Sequence, residues 1–420
     1  MAKITINETL TQNVTSFPTK SNAVYIPGFS SKSGVTVGTP ILCETVDEFE
    51  DAFGTTPYKF TSDQSYPTGF LTGSYKTGDK FCKENDVDKS YIIAKTLLKL
   101  GLPVYYEVPA KTSTTTPIDS VAEMYSFLSD ENTFKRLEDK GDYILRFITS
   151  GAYPLFEYKP SSKNIAERVI NCAATRGDAI AIIDHTLYNS RVLTGTDSVY
   201  GKLQDYFTGN DNTMYGAMYT PYATYNIEES DVELPGSFAY LASYAVSIQS
   251  NASWYAVAGV TRGSVPFIKN LSQAVTNSIA DTFTARKGVS INPITEIKPY
   301  GLVIWGNRTL KNNGASETDL TAQSFMNIRQ LVSDVKRVVY LACKRLTFEQ
   351  NNDLLWINFK SLITPTLDTM LHDNGLTSYR LTKQTAKENA KLKATIELHC
   401  VEAVEDFEIT ITLTDTEITE

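Results

Sequence analysis

The spacing of hydrophobic and polar residues predicts alternating strands and helices before residue 290. Short apolar runs bounded by turn residues predict strands at 23–26, 40–43, 104–108, 143–148, 179–183 and 214–219. Apolar residues three or four positions apart predict helices at 45–53, 91–100, 164–175 and 237–250. Strands that alternate with helices are typical of an α/β layer with a largely parallel sheet. We therefore expect an α/β domain over residues 22–290.

The pattern changes after residue 290. A strand and two long helices are predicted at 301–305, 324–346 and 354–373. Apolar and polar residues then alternate at 394–400 and again at 407–413, which predicts two strands. We expect a C-terminal α+β domain over residues 291–400 and a C-terminal arm strand over 401–420.

The N-terminus has the pattern of a short strand that no tight turn joins to a partner. Ile4 and Ile6 alternate with polar residues, and the chain breaks at Phe17-Pro18. Because the backbone groups of such a strand need partners, we expect residues 1–21 to form an extended arm that pairs elsewhere. In the C-terminal arm, the alternating apolar residues are Phe407, Ile409, Ile411 and Leu413.

The fold class expected from these patterns is α/β. It combines a core domain built on a largely parallel sheet, a C-terminal α+β domain, and extended N- and C-terminal strand arms. Stretches rich in Thr, Ser, Gly and Tyr predict surface insertions near 55–89 and 191–212.

Composition excludes several classes of protein. The 420 residues are 42% hydrophobic and 21% charged, which is ordinary for a folded globular chain. The net charge is −9 and no run of Lys or Arg occurs, so we expect no nucleic-acid binding. The N-terminus is polar by Lys3, and no run of about 18 apolar residues occurs, so we expect neither a secretory signal nor membrane insertion.

The cysteines predict no disulfide framework and no zinc site. They are odd in number and far apart in sequence: Cys43, Cys82, Cys172, Cys343 and Cys400. We expect reduced, buried thiols, and we expect no cofactor or metal.

Two segments imitate enzyme motifs. The stretch 73–78 has the glycine spacing of a phosphate-binding loop, but Asp79 stands where that loop needs a lysine and would repel the phosphates. Asp184, His185 and Ser237 could be drawn as a catalytic triad, yet adjacent residues of a strand point to opposite faces. We therefore assign no catalytic residue.

The segment 301–310 carries the most specific motif of the chain. It reads Gly-Leu-Val-Ile-Trp-Gly-Asn-Arg-Thr-Leu, and a Gly-x-x-x-Trp-Gly-x-Arg-Thr-Leu string is close to a signature of contractile phage tail sheath proteins. The signature residues are Gly301, Trp305, Gly306, Arg308, Thr309 and Leu310. Segments 25–54, 179–184 and 215–221 also resemble motifs of that family, in the family's order. The departures, Leu234-Pro-Gly and Trp254-Tyr-Ala, affect loops.

The resemblance implies a structural subunit of a contractile sheath, in a phage tail, a tailocin or a related injection machine. Such subunits stack in hexameric rings as a helical homopolymer around an inner tail tube protein, with baseplate and tail terminator proteins at the ends. Ile4, Ile6 and the C-terminal arm residues would then form strands shared between subunits. Basic residues of the predicted helix 324–346 would face the tube: Lys336, Arg337 and Lys344.

The resemblance further implies assembly in a host bacterial cytoplasm and residence in the virion tail. The sequence patterns leave other classes open. One is an α/β hydrolase or a nucleotide-binding enzyme, and another is a different structural protein of the virion tail, such as a tube or baseplate component.

Overall fold

A computed structural model describes residues 22–65, 80–111, 114–154, 165–184, 207, 210–284, 288–312, 320–384 and 392–403. The strands are β1 Val24–Pro27, β2 Ile41–Cys43, β3 Gln64–Ser65, β4 Lys80–Cys82, β5 Val104–Glu107, β6 Phe147–Ile148, β7 Ile180–Ile183, β8 Gly216–Thr220, β9 Ala223–Ile227, β10 Ser230–Leu234, β11 Ile268–Leu271, β12 Gly288–Val289, β13 Asn292–Ile297, β14 Gly301–Ile304, β15 Lys311–Asn312, β16 Leu376–Lys383 and β17 Ala394–Cys400. The helices are α1 Val46–Phe53, α2 Lys89–Lys99, α3 Val121–Ser129, α4 Glu131–Lys135, α5 Ile165–Arg176, α6 Gly236–Ser247, α7 Gly259–Arg262, α8 Asn277–Thr284, α9 Met326–Leu346 and α10 Asp353–His372.

An eight-stranded sheet in the order β14-β13-β8-β7-β6-β1-β5-β2 forms the centre of the protein. Its six inner strands run parallel, and only the edge strands β14 and β2 run antiparallel to their neighbours. The mixed α/β fold with a large, mostly parallel sheet is therefore confirmed.

The alternation of side chains along the strands divides the core into two layers. Tyr25 and Ile183 point to the face covered by α3, α4 and α5, while their neighbours Val24 and Ile182 point to the face covered by α1, α2 and α6. Both faces are buried, which explains why these strands read as continuous apolar runs.

The central sheet continues past the boundary expected at residue 290. Strand β13 pairs in parallel with β8, and β14 pairs with β13. The position of a strand in a sheet depends on the strand it pairs with, and the sequence pattern of residues 292–304 does not show which strand that is.

Several elements differ from the sequence predictions. Of the strand expected at 143–148, only the last two residues, Phe147–Ile148, form a strand. The strand expected at 214–219 begins after a turn of 3₁₀ helix at Asp211–Tyr215. The sequence pattern does not predict strand β16, because a bulge between Leu376 and Ser378 breaks its period of two. The expected insertion near 55–89 also contributes to the core, since Phe60 is buried against Phe29.

The cysteines only partly match the expectation of buried thiols. Cys43, Cys82 and Cys172 are free and buried, but Cys343 is exposed and Cys400 is half-buried. Among the described residues, no cluster of His, Cys, Asp and Glu is suited to a metal ion. Within the same part of the chain, every helix is too short or too polar to span a membrane.

A buried network of charges fastens helix α9 to the central sheet. Asp334 of α9 forms an ion pair with Arg146, and its other carboxylate oxygen accepts a hydrogen bond from Ser253 Oγ at 2.7 Å. Arg337 donates from Nη2 to the backbone oxygens of Leu145 and Asp178, both at 3.0 Å. These backbone groups lie two residues before the first residues of β6 and β7, so α9 is held at the amino ends of the two strands.

The charges in this network are almost fully shielded from water. Arg146 is 1% exposed and Arg337 is 4% exposed. Burial lowers the pKa of Arg146, but the Asp334 carboxylate more than offsets this and holds the pKa above its ordinary value. A charge buried in this way is tolerated only while its partner is present.

Removing one partner of the network should strongly destabilise the fold. We expect Arg146→Met to lower the free energy of unfolding by about 3–5 kcal/mol, because Asp334 would lose its closest counter-charge in the interior. Urea titration of the dilute subunit, followed by circular dichroism, measures the change. As a control, Lys269→Met removes an exposed ion pair with Asp231, which water screens, so it should change the stability far less. A loss for Arg146→Met no larger than the control's would contradict the role given to the network.

Candidate functional site

The crevice at the carboxyl ends of the parallel strands is filled by protein side chains. In open α/β sheets this is where ligands bind, beside the strand at which the order of connections reverses, here β1. Asp88, which caps helix α2, lies in this crevice and is fully buried. Its carboxylate accepts hydrogen bonds from Phe29 N at 2.9 Å, Tyr106 Oη at 3.0 Å and Tyr153 Oη at 2.8 Å.

Two glycines show how closely this crevice is packed. A Cβ atom on Gly28 would lie 2.0 Å from Tyr106 Oη, and one on Gly151 would lie 2.4 Å from Ser90 Oγ. Burial raises the pKa of Asp88, and the hydrogen bonds from Phe29 and the tyrosines oppose this rise. The crevice is therefore a packed polar junction. The capping position of Asp88 before a helix is visible in the sequence, but its partners are not.

Asp184 bonds directly to the backbone at the start of helix α6. Its carboxylate Oδ1 accepts a hydrogen bond from the backbone N–H of Ser237 at 2.9 Å, at the first turn of α6. Both residues are buried, at 1% and 2% exposure. Burial raises the pKa of Asp184 from 3.8 to about 7, although the hydrogen bonds from Ser237 lower it. The third candidate, His185, and the phosphate-loop imitation at 73–78 lie outside the described residues.

The signature segment, residues 301–310, joins the central sheet to helix α9. Asn292 of β13 donates from Nδ2 to the backbone oxygens of Arg308 at 2.8 Å and Met218 at 3.2 Å, and its Oδ1 accepts from Arg308 N at 2.7 Å. Gly306 lies so close that a Cβ atom there would be 2.8 Å from Asn292 Oδ1. The glycine is needed because the loop must pass directly over the asparagine.

The second half of the signature segment is tied to the start of α9. Asn307 Nδ2 donates to Asn327 Oδ1 at 2.8 Å, and Thr309 N donates to the backbone oxygen of Ser324 at 2.9 Å. Leu310 is fully buried, and its N–H donates to the Gly216 oxygen of strand β8 at 2.8 Å. These bonds make a rigid joint between the sheet and the C-terminal helices.

The remaining signature residues differ in exposure. The Arg308 guanidinium lies 4.7 Å from the centre of the Phe325 ring and is buried, which fits a structural clamp. Gly301 has a φ of 91°, a conformation that favours glycine. Trp305 is 42% exposed, at the end of edge strand β14.

The three residues expected to face a tube do not share one environment. Arg337 is buried in the charge network described above, so its expected contact with a tube is wrong for this fold. Lys336 is exposed, and its Nζ donates to Tyr215 Oη at 2.8 Å. Lys344 is exposed near the C-terminal end of α9. The helical pattern of α9 marks Arg337 as polar, but it cannot show that its hydrogen-bond acceptors come from the residues before β6 and β7.

Strands β16 and β17 form an antiparallel ribbon whose outer edges carry no third strand within the described residues. The ribbon rests on α10, where Tyr379 Oη donates to Asp368 at 2.5 Å and Lys383 pairs with Asp353 at 2.8 Å. A two-stranded ribbon is only marginally stable by itself, and its outer edges offer unpaired backbone groups to another strand.

A groove of about 610 Å³ runs between β17 and the helices α9 and α10. Its walls are mainly apolar, and they include Val339, Cys343, Leu346, Phe359, Ala394 and Ile396. We name this the ribbon groove. The arm residues that the sequence singled out, Ile4, Ile6, Phe407, Ile409, Ile411 and Leu413, lie outside the described residues.

Comparison with known proteins identifies relatives among contractile sheaths. The tail sheath protein of Vibrio phage KVP40 is 26% identical over 160 residues, which are 38% of this chain. The match spans 22% of the length of that relative. No family model matches the chain.

Solved structures share the fold along nearly the whole chain. A sheath chain of an extracellular contractile injection system, the PVC sheath complex in its contracted state, has a TM-score of 0.61 at 14% identity, over 99% of this chain and 97% of its own. A chain of the contracted baseplate of the anti-feeding prophage has a TM-score of 0.64 at 16% identity, over 98% and 97%. The resemblance of this sequence to contractile sheath proteins is confirmed, and the fold is that of those sheaths.

The charge of Asp184 should make stability depend on pH. Burial raises the pKa of Asp184, so the folded state favours the neutral acid. The contribution of the neutral acid to the free energy of unfolding is fully present below pH 3.8 and is lost as the pH rises through about 7. We expect Asp184→Asn, which keeps the acceptor for Ser237, to lose less stability than the wild type between about pH 5 and pH 8. The wild-type loss is about 1.4 kcal/mol per pH unit between the two pKa values.

Thermal unfolding at both pH values measures this difference. Asp184→Leu serves as the matched control, because it removes the charge and also the acceptor, and it should be less stable than Asp184→Asn at both pH values. An equal response to pH in the wild type and in Asp184→Asn would show that Asp184 is ionised in the folded protein.

Proposed function

We propose that this chain is the structural subunit of a contractile sheath, which polymerises around an inner tube and contracts to drive it through a cell envelope. The observation that carries the proposal is the ribbon of β16 and β17, whose outer edges have no third strand within the described residues and which borders an apolar groove. The chain also has, at both ends, sequence segments with the periodicity of strands.

Strand addition explains how such a ribbon could connect subunits. An arm from one copy would add its backbone hydrogen bonds to the edge of another copy's ribbon, and its alternating side chains would set the register. In this proposal Ile4, Ile6, Phe407, Ile409, Ile411 and Leu413 are the arm residues that face the neighbouring ribbon. Contacts of this head-to-tail kind need not close, and open ones build helical polymers.

Contraction requires rigid bodies that move while the arms stay connected. The signature segment and the buried charge network supply that rigidity, because both fasten α9 to the central sheet at fixed points. A subunit built in this way would rotate as one unit, and the arms would absorb the change between the extended and contracted lattices.

The neighbours in structure suggest where such a subunit would assemble. One comes from an anti-feeding prophage sheath described as helical and contracted, and another from a baseplate with six-fold symmetry. We propose hexameric rings of this chain, with an inner tube protein, baseplate proteins and a tail terminator as partners. Assembly would take place in a bacterial cytoplasm, and the product would be part of a virion tail or a related particle. Lys336 and Lys344 remain candidates for contact with the tube.

We also propose that the chain has no catalytic site. The crevice where an α/β enzyme would bind its ligand is occupied by Asp88 and its tyrosine partners, and Asp184 and Ser237 are buried. This is why a hydrolase or a nucleotide-binding enzyme is less well supported than a sheath subunit.

Deleting residues 1–18 should separate folding from assembly. The described fold begins at residue 22, so we expect the truncated chain to stay soluble and folded but to form no cylinders, because it cannot add its N-terminal strand to a neighbour. Negative-stain electron microscopy detects the cylinders, and circular dichroism checks the fold. If the truncated chain forms cylinders like those of the full chain, this part of the proposal is contradicted.

Ile411→Pro tests the C-terminal arm. Proline removes a backbone donor from the added strand, so we expect the variant to form no cylinders while it keeps its helical content. Ile411→Val is the matched control, because it keeps both the donor and a branched apolar side chain, and it should assemble. If both variants assemble equally well, strand pairing at residue 411 does not hold the subunits together.

A further inference from the structure

The C-terminal α+β region has an open core on the side of the ribbon groove. Val338, Ile363 and Leu367 are buried in this core, but the apolar residues of β17 that face the same way are only half-buried: Ala394, Ile396, Leu398 and Cys400. The groove is therefore a gap in the core along the outer edge of β17, wide enough for the side chains of one more strand.

A segment of the same chain has the matching pattern. Phe407, Ile409, Ile411 and Leu413 alternate with polar residues, as the inward-facing residues of β17 do. Residues opposite one another in an antiparallel pair share a face, and in such a pair position 407 would lie opposite 400 and position 413 opposite 394. Every apolar residue of the segment would then lie beside an apolar residue of β17. Ile411 and Leu413 would lie beside Ile396 and Ala394, the two paired β17 residues that line the groove.

The connection between the two segments suits a tight return. Val401 is fixed at the end of β17, since its N–H donates to the Gly375 oxygen at 3.1 Å. Residues 402–406 would make the turn, and they include Glu402, Glu405 and Asp406, whose charges favour a solvated loop. The groove thus lies within reach of the segment that follows it in sequence.

A short tether also favours the chain's own segment over that of a neighbour. Linking two binding partners by a few residues gives an effective concentration of about the millimolar range, which exceeds the concentration of free subunits in a dilute solution. The N-terminal arm fits less well, because Ile4 and Ile6 give it a shorter apolar face than the four alternating residues of the C-terminal arm.

We propose that in the unassembled subunit the segment 407–413 folds back as a third strand on β17 and fills its own ribbon groove. The groove is then closed to other copies until the segment is released. If the proposed function holds, assembly exchanges this strand between subunits, so that the same interactions that close the free subunit later join it to its neighbour. Such an exchange costs little, because the strand makes the same backbone hydrogen bonds and the same apolar packing in either groove.

Cysteine scanning along the segment tests the proposal, because the groove already contains an exposed thiol, Cys343. Single cysteines are placed at each position from 407 to 413 in the full chain carrying Cys400→Ser, and the dilute subunit is oxidised mildly. We expect cross-links to Cys343 within one chain, strong at two or more of the odd positions and several-fold weaker at the even ones. Non-reducing electrophoresis and peptide mapping identify the linked pairs.

A mixing control separates the segment's own groove from that of a second copy. Chains with the new cysteine but with Cys343→Ser are mixed with chains that keep Cys343 alone, so a cross-link in this mixture joins two copies. Little or no cross-linking in the mixture supports the proposal. Cross-links that form as readily in the mixture as in the single chain, cross-links without the odd–even difference, or none at any position would overturn it.

The outcome is independent of whether the chain forms a sheath. Cylinders seen by microscopy, without cross-links within the dilute subunit, would leave the proposed function standing and reject the fold-back. Cross-links within the dilute subunit, without cylinders, would support the fold-back and count against a sheath.

Discussion

The buried charges between helix α9 and the amino ends of β6 and β7 are the constraint on which the rest of the structure depends. Asp334 and Arg337 fix the helix to strand ends that are far away in sequence, and Arg146 supplies the counter-charge. Burying a charge away from water costs free energy unless its partners are all in place. This network therefore fixes the position of helix α9 on the sheet. Helix α10, the ribbon and the ribbon groove are all placed by α9.

The signature segment supports the same joint from its other end. It ties β13 and β8 to the start of α9 through amide side chains, which donate and accept at fixed distances. With a polar network at one end and an amide-bonded loop at the other, α9 belongs mechanically to the central sheet. Rigidity of this kind is what a body needs if force is to pass through it.

The fold has the sheet of a ligand-binding α/β protein, but its open surfaces are elsewhere. The crevice at the carboxyl ends of the strands is packed around Asp88. Among the described residues, the ribbon has outer edges without a further strand and borders the apolar groove, where another strand could add. An arrangement that closes the crevice and exposes strand edges is suited to assembly, since strand edges recognise other strands.

The sequence by itself determined the type and order of most elements. Periods of two and of about 3.6 follow directly from backbone geometry, so α1, α9, α10 and β17 lie close to where the patterns predict them. The order of the motifs was also sufficient to indicate contractile sheaths. Strand β16 cannot be predicted in this way, because a bulge disturbs its alternation.

Only the tertiary structure decided which surfaces are covered and by what. Arg337 has the position of an outward basic residue on a helix, yet it is buried because its partners lie 159 and 192 residues away in sequence. Asp88 caps helix α2, and the crevice it fills exists only once β1, β5 and β6 are side by side. Local spacing fixes the direction in which a side chain leaves the backbone, but the neighbour that receives it is set by contacts between distant parts of the chain.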